Sequence, residues 1–395
     1  MQINNKWLNG AIPALLIHCS IGTVYCWSLF KNEIGNAMGI ETPEWAFSLA
    51  IFFLGMSAAF GGKLVENNVT KSAFLSTICF SLGMFGTGLA IQFGLPWLVY
   101  LSYGCIMGIG LGIGYLTPVK TLMMWFSEHK GLATGIAITG FGLAKVIASP
   151  IIEHLLQVTT VFNMFYILGI IYLICMIIGT LLIKKPYADK KIKVEKISLN
   201  DMKDIILNKT YLAIWFVFFI NITCGLAIIS QEKNILLSFD NLGLSISAIA
   251  MLTAAANSFG RFAYSTFSDY ISNRGVVYEL IFVTSMLFAI PAIFSNNTGM
   301  GLLIIVIMML FINMGYGGGF STLPSLLSDK FGMRNVSIIH GFALSAWAWA
   351  GLVGNQLGSY IITNYDYNTL YIVLITLYST ALIINHKLIL PLNKM

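Results

Sequence analysis

Arg261 is the residue whose type and position suggest the most specific chemistry, because it stands inside the apolar run Leu242–Phe267. Arginine stays charged at physiological pH, and a cation inside a bilayer costs about 3 kcal/mol or more. Such a residue usually faces a bundle interior or a water-filled cavity. Asn257 lies one helical turn earlier and can orient the guanidinium. Since a guanidinium binds a carboxylate through two parallel hydrogen bonds, the pair predicts a buried site for an organic anion.

Two lysines also fall within apolar runs. Lys145 is central in its run, so it could supply a second positive charge to the same cavity, or it could pair with a backbone carbonyl or lose its charge on burial. Lys120 lies nearer a helix end and could extend its ammonium to the interface. The acids Glu153 and Glu279 lie near span ends, so we expect no carboxylate at mid-membrane.

The composition is that of an integral membrane protein. The chain has 395 residues, of which 57% are hydrophobic and 10% charged, and its mean hydropathy is +0.82. Because about 20 apolar residues cross the hydrocarbon core as a helix, spans and short loops account for nearly the whole chain. The sequence predicts an all-α fold of twelve spans, at residues 8–30, 44–62, 72–92, 96–119, 131–154, 163–183, 210–231, 243–264, 276–294, 300–322, 337–361 and 367–387.

The net charge of +6 reports topology rather than a nucleic-acid partner. With the N-terminus inside, most lysines and arginines fall on the cytoplasmic side, and only Lys31 and Lys233 are clearly outside, which is the positive-inside pattern. We therefore expect a multi-pass protein of the plasma membrane, a bacterial inner membrane, with both termini cytoplasmic. The six cysteines and the scattered histidines have no metal-binding or redox spacing, so no cofactor is expected.

The sequence divides into two halves that resemble each other. Residues 1–183 and 210–395 would each form a six-helix bundle, and residues 184–209 would form a cytoplasmic connecting loop. Gly112–Pro118 in the fourth span resembles Gly317–Pro324 in the tenth. Paired repeats with a site between them are typical of secondary transporters. A channel would be expected to use charged rings or filter loops. A membrane enzyme would need a nucleophile–base pair or metal cluster, which we do not find, so an enzyme is not expected.

Several segments together resemble the major facilitator superfamily, and more narrowly its oxalate/formate antiporter family, relatives of the monocarboxylate transporters. The segments are Tyr115–Val119, Trp125-Phe126, Lys130–Ile136, Gly140–Gly142, Gly317–Pro324, Phe331-Gly332 and Ala346–Gly351. The resemblance implies two pseudo-symmetric six-helix bundles that carry a small organic anion by alternating access. It also implies that Arg261 binds the substrate carboxylate, with Asn257 beside it.

The resemblance further implies an aromatic cage around the substrate. The cage residues and their neighbour in the first span are Tyr25, Trp27, Tyr115, Phe141, Tyr316, Phe320 and Trp347. Oxalate carriers of the family place a lysine where this chain has Trp347, so a second fixed charge is missing there. A second buried carboxylate would then stay unpaired. The sequence therefore favours a monocarboxylate such as pyruvate, lactate or formate.

The expected mechanism is exchange of one anion for another by a monomer, because an empty Arg261 would be an uncompensated cation in a closing cavity. Glu66, Asp269 and Arg274, in loops that follow the second and eighth spans, are expected to act as a cytoplasmic gate. Two alternatives stay open: a dicarboxylate antiporter that uses Lys145 as well, and a proton-coupled symporter. Proton-coupled relatives have an aspartate where this chain has Asn257, which cannot titrate. Arg261 could also be a gate residue at the cytoplasmic end, paired with Asp269 or another acid of the loops.

Overall fold

The computed structural model describes residues 5–41, 43–186, 199–239, 246–295, 297–332 and 336–392. These residues form twelve long helices and no strand. The first six are α1 (Trp7–Met38), α2 (Glu44–Asn67), α3 (Val69–Gln92), α4 (Pro96–Trp125), α5 (Lys130–Val158) and α6 (Val161–Leu182). The others are α7 (Lys209–Leu237), α8 (Ile246–Phe267), α9 (Gly275–Ala292), α10 (Gly299–Phe331), α11 (Val336–Ala343 and Ser345–Asn364) and α12 (Tyr367–Ile389).

The predicted twelve-helix fold is confirmed, but several helices are longer than predicted. α7 continues to Leu237 rather than ending at residue 231, and α10 reaches Phe331 rather than residue 322. The predicted spans were limited to the length that crosses the hydrocarbon core, about 20 residues. A helix can continue into the headgroup region, where its polar residues remain solvated. The extension of α7 places Glu232 within the helix, where its side chain is buried in the bundle.

Ten of the helices in the described ranges are long and apolar enough to cross a membrane, and α8 and α11 are not among them. Both carry polar residues that a span facing lipid would avoid, among them Asn257 and Arg261 in α8 and Asn355 in α11. Those three side chains are buried within the bundle. Because polar groups in membrane helices usually face the bundle interior or a cavity, these two helices are the ones that sequence composition marks as cavity-lining.

The two halves meet through a pair of crossed contacts. α5 of the first half packs along α8 of the second, and α11 of the second half packs along α2 of the first. The similarity between the fourth and tenth spans is visible as an internal proline in each helix, Pro118 in α4 and Pro324 in α10. The division at residues 183 and 210 stays a prediction.

The connecting segment is only partly described, since residues 187–198 lie outside the described ranges. It was predicted as a loop throughout, but Leu199–Ile206 is helical. At its other end the chain is held against the first half: the indole of Trp125 donates to the carbonyl of Lys184 over 2.8 Å, and Lys185 Nζ donates to the carbonyl of Glu66.

Candidate functional site

Arg261 lies on α8 with no solvent exposure. Its Nε donates to Asn257 Oδ1 over 2.8 Å, one turn away on the same helix. Its two terminal nitrogens, Nη1 and Nη2, are buried and have no hydrogen-bond partner among the described residues. The guanidinium is thus fixed through Nε, while Nη1 and Nη2 have no partner in the described part of the chain. A buried charge without partners is costly.

A glycine on α10 makes room for this side chain. A Cβ atom at Gly317 would collide with the carbonyl oxygen of Asn257 and would lie 2.9 Å from Cγ of Arg261. No larger residue fits, so the backbone of α10 packs directly against α8 at this level. Gly317 belongs to the motif that is repeated in the two halves. Its close contact with Arg261 explains why this position of the motif is a glycine.

Six aromatic side chains form one connected cluster that includes the two rings facing the guanidinium, and we call them the aromatic box: Tyr25, Tyr115, Phe141, Tyr316, Phe320 and Trp347. The first three come from α1, α4 and α5 of the first half, and the others from α10 and α11 of the second. All six are buried, and none is more than 7% exposed. Neighbouring ring centroids lie between 4.3 Å apart, for Phe320 and Trp347, and 6.2 Å apart, for Tyr115 and Phe320.

Both halves contribute directly to the environment of Arg261. Its Cζ lies 5.5 Å from the ring centre of Phe141 and 5.3 Å from that of Phe320. A desolvated cation over an aromatic face gains about 2 kcal/mol, which offsets part of the desolvation cost. The hydroxyls of Tyr25 and Tyr316 share a 2.7 Å hydrogen bond across the halves. The site therefore exists only when the two halves are together.

Other buried polar groups without a partner lie in the box or beside it. The hydroxyl of Tyr115 and Nε1 of Trp347 are buried without a partner among the described residues, and so is Nε2 of His340. The His340 ring lies 6.1 Å from that of Tyr115. The sequence alone gave no sign that His340, near the start of α11, lies beside the box. An anion is the ligand that such a set of donors fits.

Lys145 forms a buried ion pair that the sequence analysis missed. Its Nζ lies 3.4 Å from Glu232 Oε2, and the two side chains are 8% and 7% exposed. Thr253 donates to the other carboxylate oxygen of Glu232. The sequence placed Glu232 beyond the end of the seventh span, whereas α7 continues past it to Leu237, so this acid is part of the packed bundle near the outer end of α7.

Lys120 also has a buried partner. Its Nζ lies 3.1 Å from Glu66 Oε1, with both side chains no more than 10% exposed. The expectation that Lys120 extends to the interface was wrong, because an acid on α2 reaches it. The pair joins α2 to α4 within the first half, so this contact of Glu66, a predicted gate residue, does not cross between halves.

Trp27 does not belong to the aromatic box. Its ring packs against Tyr103 at 4.7 Å and against Phe30 at 5.6 Å, within the first half. The short 3₁₀ segment Gly22–Cys26 rotates the end of α1 relative to an ideal α-helix. The sequence could place Tyr25 and Trp27 on one span but could not tell which of them faces the centre.

A set of contacts that we call the latch joins the two halves on the side predicted to be cytoplasmic: Asp269 and Arg274, with the first residues of α5. The carboxylate of Asp269 accepts hydrogen bonds from the backbone N–H groups of Gly131 and Leu132, each over 2.9 Å. Arg274 lies 2.9 Å from Asp269 and also pairs with Asp329 on α10. Since the carboxylate of Asp269 contacts α5 and Arg274 rather than Arg261, the interpretation of Arg261 as the partner of Asp269 was wrong.

Two cavities lie on the opposite side of the box from the latch. The outer vestibule, of about 230 Å³, is bounded by the outer ends of α1, α5, α7 and α8 and is lined by Ser28, Glu153 and Glu232, among others. A smaller cavity of about 20 Å³ is lined by Tyr25, Lys145, Asn257 and Asn313. Ile229 lines both cavities. The predicted topology places the vestibule outside the cell, and the small cavity is lined by Asn257, which accepts the hydrogen bond from Arg261.

Residues 8–355 match the Major Facilitator Superfamily. The chain is 26% identical to the oxalate:formate antiporter of Oxalobacter formigenes, over 94% of this chain and 88% of that protein. It is 28% identical to monocarboxylate transporter 12 of Mus musculus over a shorter stretch, 38% of this chain and 31% of that protein. A crystal structure of the E. coli fucose:proton symporter has a similar fold, with a TM-score of 0.71, 13% identity, and coverage of 95% and 97% of the two chains.

Proposed function

We propose that this chain, which belongs to the Major Facilitator Superfamily, carries a small monocarboxylate. The chain is a multi-pass membrane transporter rather than an enzyme. The observation that carries the proposal is the guanidinium of Arg261, fully buried with two terminal nitrogens unpaired among the described residues. A carboxylate can accept from both nitrogens at once. Binding would convert an uncompensated charge into a paired one.

The other features of the box fit such a cargo. Tyr115 and Trp347 each present an unused N–H or O–H donor, which can bind the second face of a carboxylate or a neighbouring carbonyl. The surrounding rings exclude water and pack a short carbon chain. The small cavities beside the box favour a molecule of a few heavy atoms, such as pyruvate, lactate or formate, over a sugar or a peptide.

Charge favours one carboxylate over two. Arg261 is the cation in the box with unpaired donors, while Lys145 is paired with Glu232. A second carboxylate would enter without a free cation to balance it, and an unpaired buried charge costs several kcal/mol. The single unpaired cation among the described residues of the box therefore favours a monocarboxylate over a dicarboxylate. The names of the relatives, an oxalate:formate antiporter and a monocarboxylate transporter, point to the same class of small carboxylates.

We infer exchange as the transport mode. Closing the box around an empty Arg261 leaves a bare cation in a dry site, whereas closing it around Arg261 with a carboxylate does not. The loaded carrier should therefore cross between its two states faster than the empty one. With the cytoplasmic side set by the positive-inside pattern, the protein would work as a monomer in the bacterial inner membrane with both termini in the cytoplasm.

Liposome counterflow tests the proposal. Purified protein is reconstituted, and uptake of labelled pyruvate, lactate, formate and oxalate is measured with and without unlabelled anion inside. We expect monocarboxylate uptake to rise at least about tenfold when the lumen is preloaded, a barrier difference of about 1.4 kcal/mol. No uptake of any carboxylate would refute the proposed cargo, and equal uptake into empty and loaded vesicles would refute exchange.

A conservative change in the box should separate binding from stability. Tyr115→Phe removes a buried hydroxyl that has no partner among the described residues, so the empty protein should lose no stability. If that hydroxyl donates to the carboxylate, KM for monocarboxylates should rise about three- to tenfold, the equivalent of one hydrogen bond of about 1 kcal/mol. The measurement is counterflow kinetics beside thermal unfolding of the purified variant.

Tyr378→Phe is the matched control for this change. Tyr378 is also fully buried with a hydroxyl unpaired in the described part of the chain, but its ring packs against Phe282 in the second half, away from the box. Its removal should leave KM unchanged. An equal effect of both substitutions on KM would show that Tyr115 does not contact the substrate.

A further inference from the structure

We propose that Glu232 sets the charge of the anion that this carrier accepts, because it keeps the ammonium of Lys145 neutralised beside the Arg261 site. This inference rests on the proposed function and deepens it. In this view Lys145 is a latent second anchor, and Glu232 occupies it in place of a second substrate carboxylate. The carrier therefore takes monoanions while it retains the lysine that a dianion would need.

The geometry of the Lys145–Glu232 pair shows how firmly the glutamate is held. Lys145 is on α5 and Glu232 is on α7, so the contact crosses between the halves, as the box does. One carboxylate oxygen faces the ammonium at 3.4 Å, and the other accepts from the hydroxyl of Thr253 on α8. Both oxygens are engaged, and both side chains are nearly buried. Glu232 is thus held as a bound carboxylate would be held.

The Lys145–Glu232 pair lies between the outer vestibule and the small cavity. Glu232 lines the outer vestibule, whereas Lys145 lines the small cavity together with Asn257 and Tyr25. Asn257 is the residue that accepts from Arg261, and Tyr25 belongs to the aromatic box. The ammonium therefore shares a cavity with two residues that contact or surround the guanidinium. A substrate that reaches Arg261 from the vestibule passes beside the pair.

The charges of Lys145, Glu232 and Arg261 together determine which anion the site can balance. With the pair intact, Lys145 and Glu232 sum to zero and Arg261 contributes one positive charge, which matches a monocarboxylate. Without the negative charge on Glu232, the site would hold two positive charges, which match a dicarboxylate. Since buried charges must be paired to be tolerated, removing Glu232 should change the preferred substrate rather than only weaken binding.

The test compares Glu232→Gln with the wild type in proteoliposomes, with pyruvate and oxalate as probes at neutral pH. We expect the KM for oxalate to fall and that for pyruvate to rise, so that their ratio changes at least about tenfold, the factor that 1.4 kcal/mol corresponds to. Glu153→Gln is the matched control, since Glu153 lines the same vestibule but not the small cavity that Lys145 lines. Its ratio should stay at the wild-type value.

Two further variants distinguish a charge effect from a structural one. Lys145→Gln leaves Glu232 as an unpaired anion near the site, so both probes should bind more weakly. The double variant Lys145→Gln, Glu232→Gln removes both charges, so wild-type preference for pyruvate should return. Glu232→Asp should also keep that preference. A purely structural ion pair would also tolerate the loss of both charges, but it would leave the ratio of the two KM values unchanged in every variant.

The outcomes separate the inference from the function it rests on. If the wild-type protein exchanges pyruvate and Glu232→Gln leaves the pyruvate-to-oxalate ratio unchanged, the inference is overturned and the function stands. If Glu232→Gln does not fold, the double variant decides: a preference for pyruvate supports the inference, and a preference for oxalate overturns it. If the wild type exchanges no carboxylate, the proposed function itself fails, and the inference with it.

Discussion

Replacing Arg261 with methionine is expected to raise the thermal stability of the empty protein and to abolish carboxylate exchange. Methionine retains the apolar stem that packs in the aromatic box and removes a fully buried charge whose two terminal nitrogens are unpaired among the described residues. Exchanging an uncompensated buried charge for an apolar side chain of similar length should stabilise the protein by about 1–3 kcal/mol. A substitution that raises the free energy of unfolding but abolishes transport indicates that the residue serves to bind the substrate.

Arg261→Lys is the companion variant. Lysine keeps the charge but cannot form two parallel hydrogen bonds to one carboxylate, so exchange should fall about a hundredfold, the loss of about 2.7 kcal/mol of substrate interaction. Thermal unfolding with and without pyruvate completes the measurement. Pyruvate at a hundred times the wild-type Kd should stabilise the wild type by about 2.7 kcal/mol and Arg261→Lys by no more than about 0.4 kcal/mol. Arg261→Met should not respond.

Normal transport by Arg261→Lys would remove Arg261 from the site. A strongly destabilised Arg261→Met would also count against the proposal, since it would mean that the guanidinium holds the fold together instead of awaiting a ligand. Asn257→Leu serves as a reference for the loss of the orienting contact: it should weaken binding less than either change at Arg261, because the charge remains.

The overall fold could be predicted because a bilayer imposes a simple rule on sequence. Long apolar runs must be helices, and their number, order and charge asymmetry are readable without coordinates. Arg261 could be found for the same reason, since a permanent cation in such a run has few explanations. The aromatic residues of the box came from a family resemblance, and the structure brings all of them together except Trp27.

The remaining features depend on quantities that sequence does not determine. Trp27 follows Tyr25 by two residues, and only the local 3₁₀ geometry decides which ring turns inward. Glu232 was missed because a span limit based on membrane thickness ended α7 too early, and the contact of Lys120 because its partner lies on another helix. Contacts between distant helices require the packing itself, even where each helix is correctly placed.

The latch would close the central site from the side that the charge pattern predicts to be cytoplasmic. α5 begins where Asp269 accepts its first free N–H groups, a position where the helix dipole also favours a negative charge. A Cβ at Gly131 would collide with the carbonyl oxygen of Ser265, so only glycine allows this approach of α5 to α8. The contact joins the halves and must break whenever the cytoplasmic side opens.

Asp269→Ala is expected to shift the protein toward a state open to the cytoplasm. The substitution removes two charge-assisted hydrogen bonds and the pairing with Arg274, a loss of about 2–4 kcal/mol from the closed state. The ratio of open to closed protein should rise about thirtyfold to nearly a thousandfold. Turnover should fall, because the return to the outward-facing state becomes the slow step.

Two reporter cysteines can measure this shift, each placed in a background without the native cysteines. Ser265→Cys lies buried between α5 and α8, and Ser28→Cys lines the outer vestibule. With an impermeant maleimide, Asp269→Ala should speed labelling at residue 265 from the cytoplasmic side and slow labelling at residue 28 from outside.

The matched control for the latch is Asp366→Ala. Asp366 also accepts a backbone N–H at a helix start, that of Thr369 in α12 over 2.7 Å, but this contact stays within one half. Its loss should leave both labelling rates unchanged. Because alternating access requires the two sides to open in turn, the two reporters must change in opposite directions. Faster labelling at both positions would instead indicate general loosening of the bundle, and the latch would then have no part in gating.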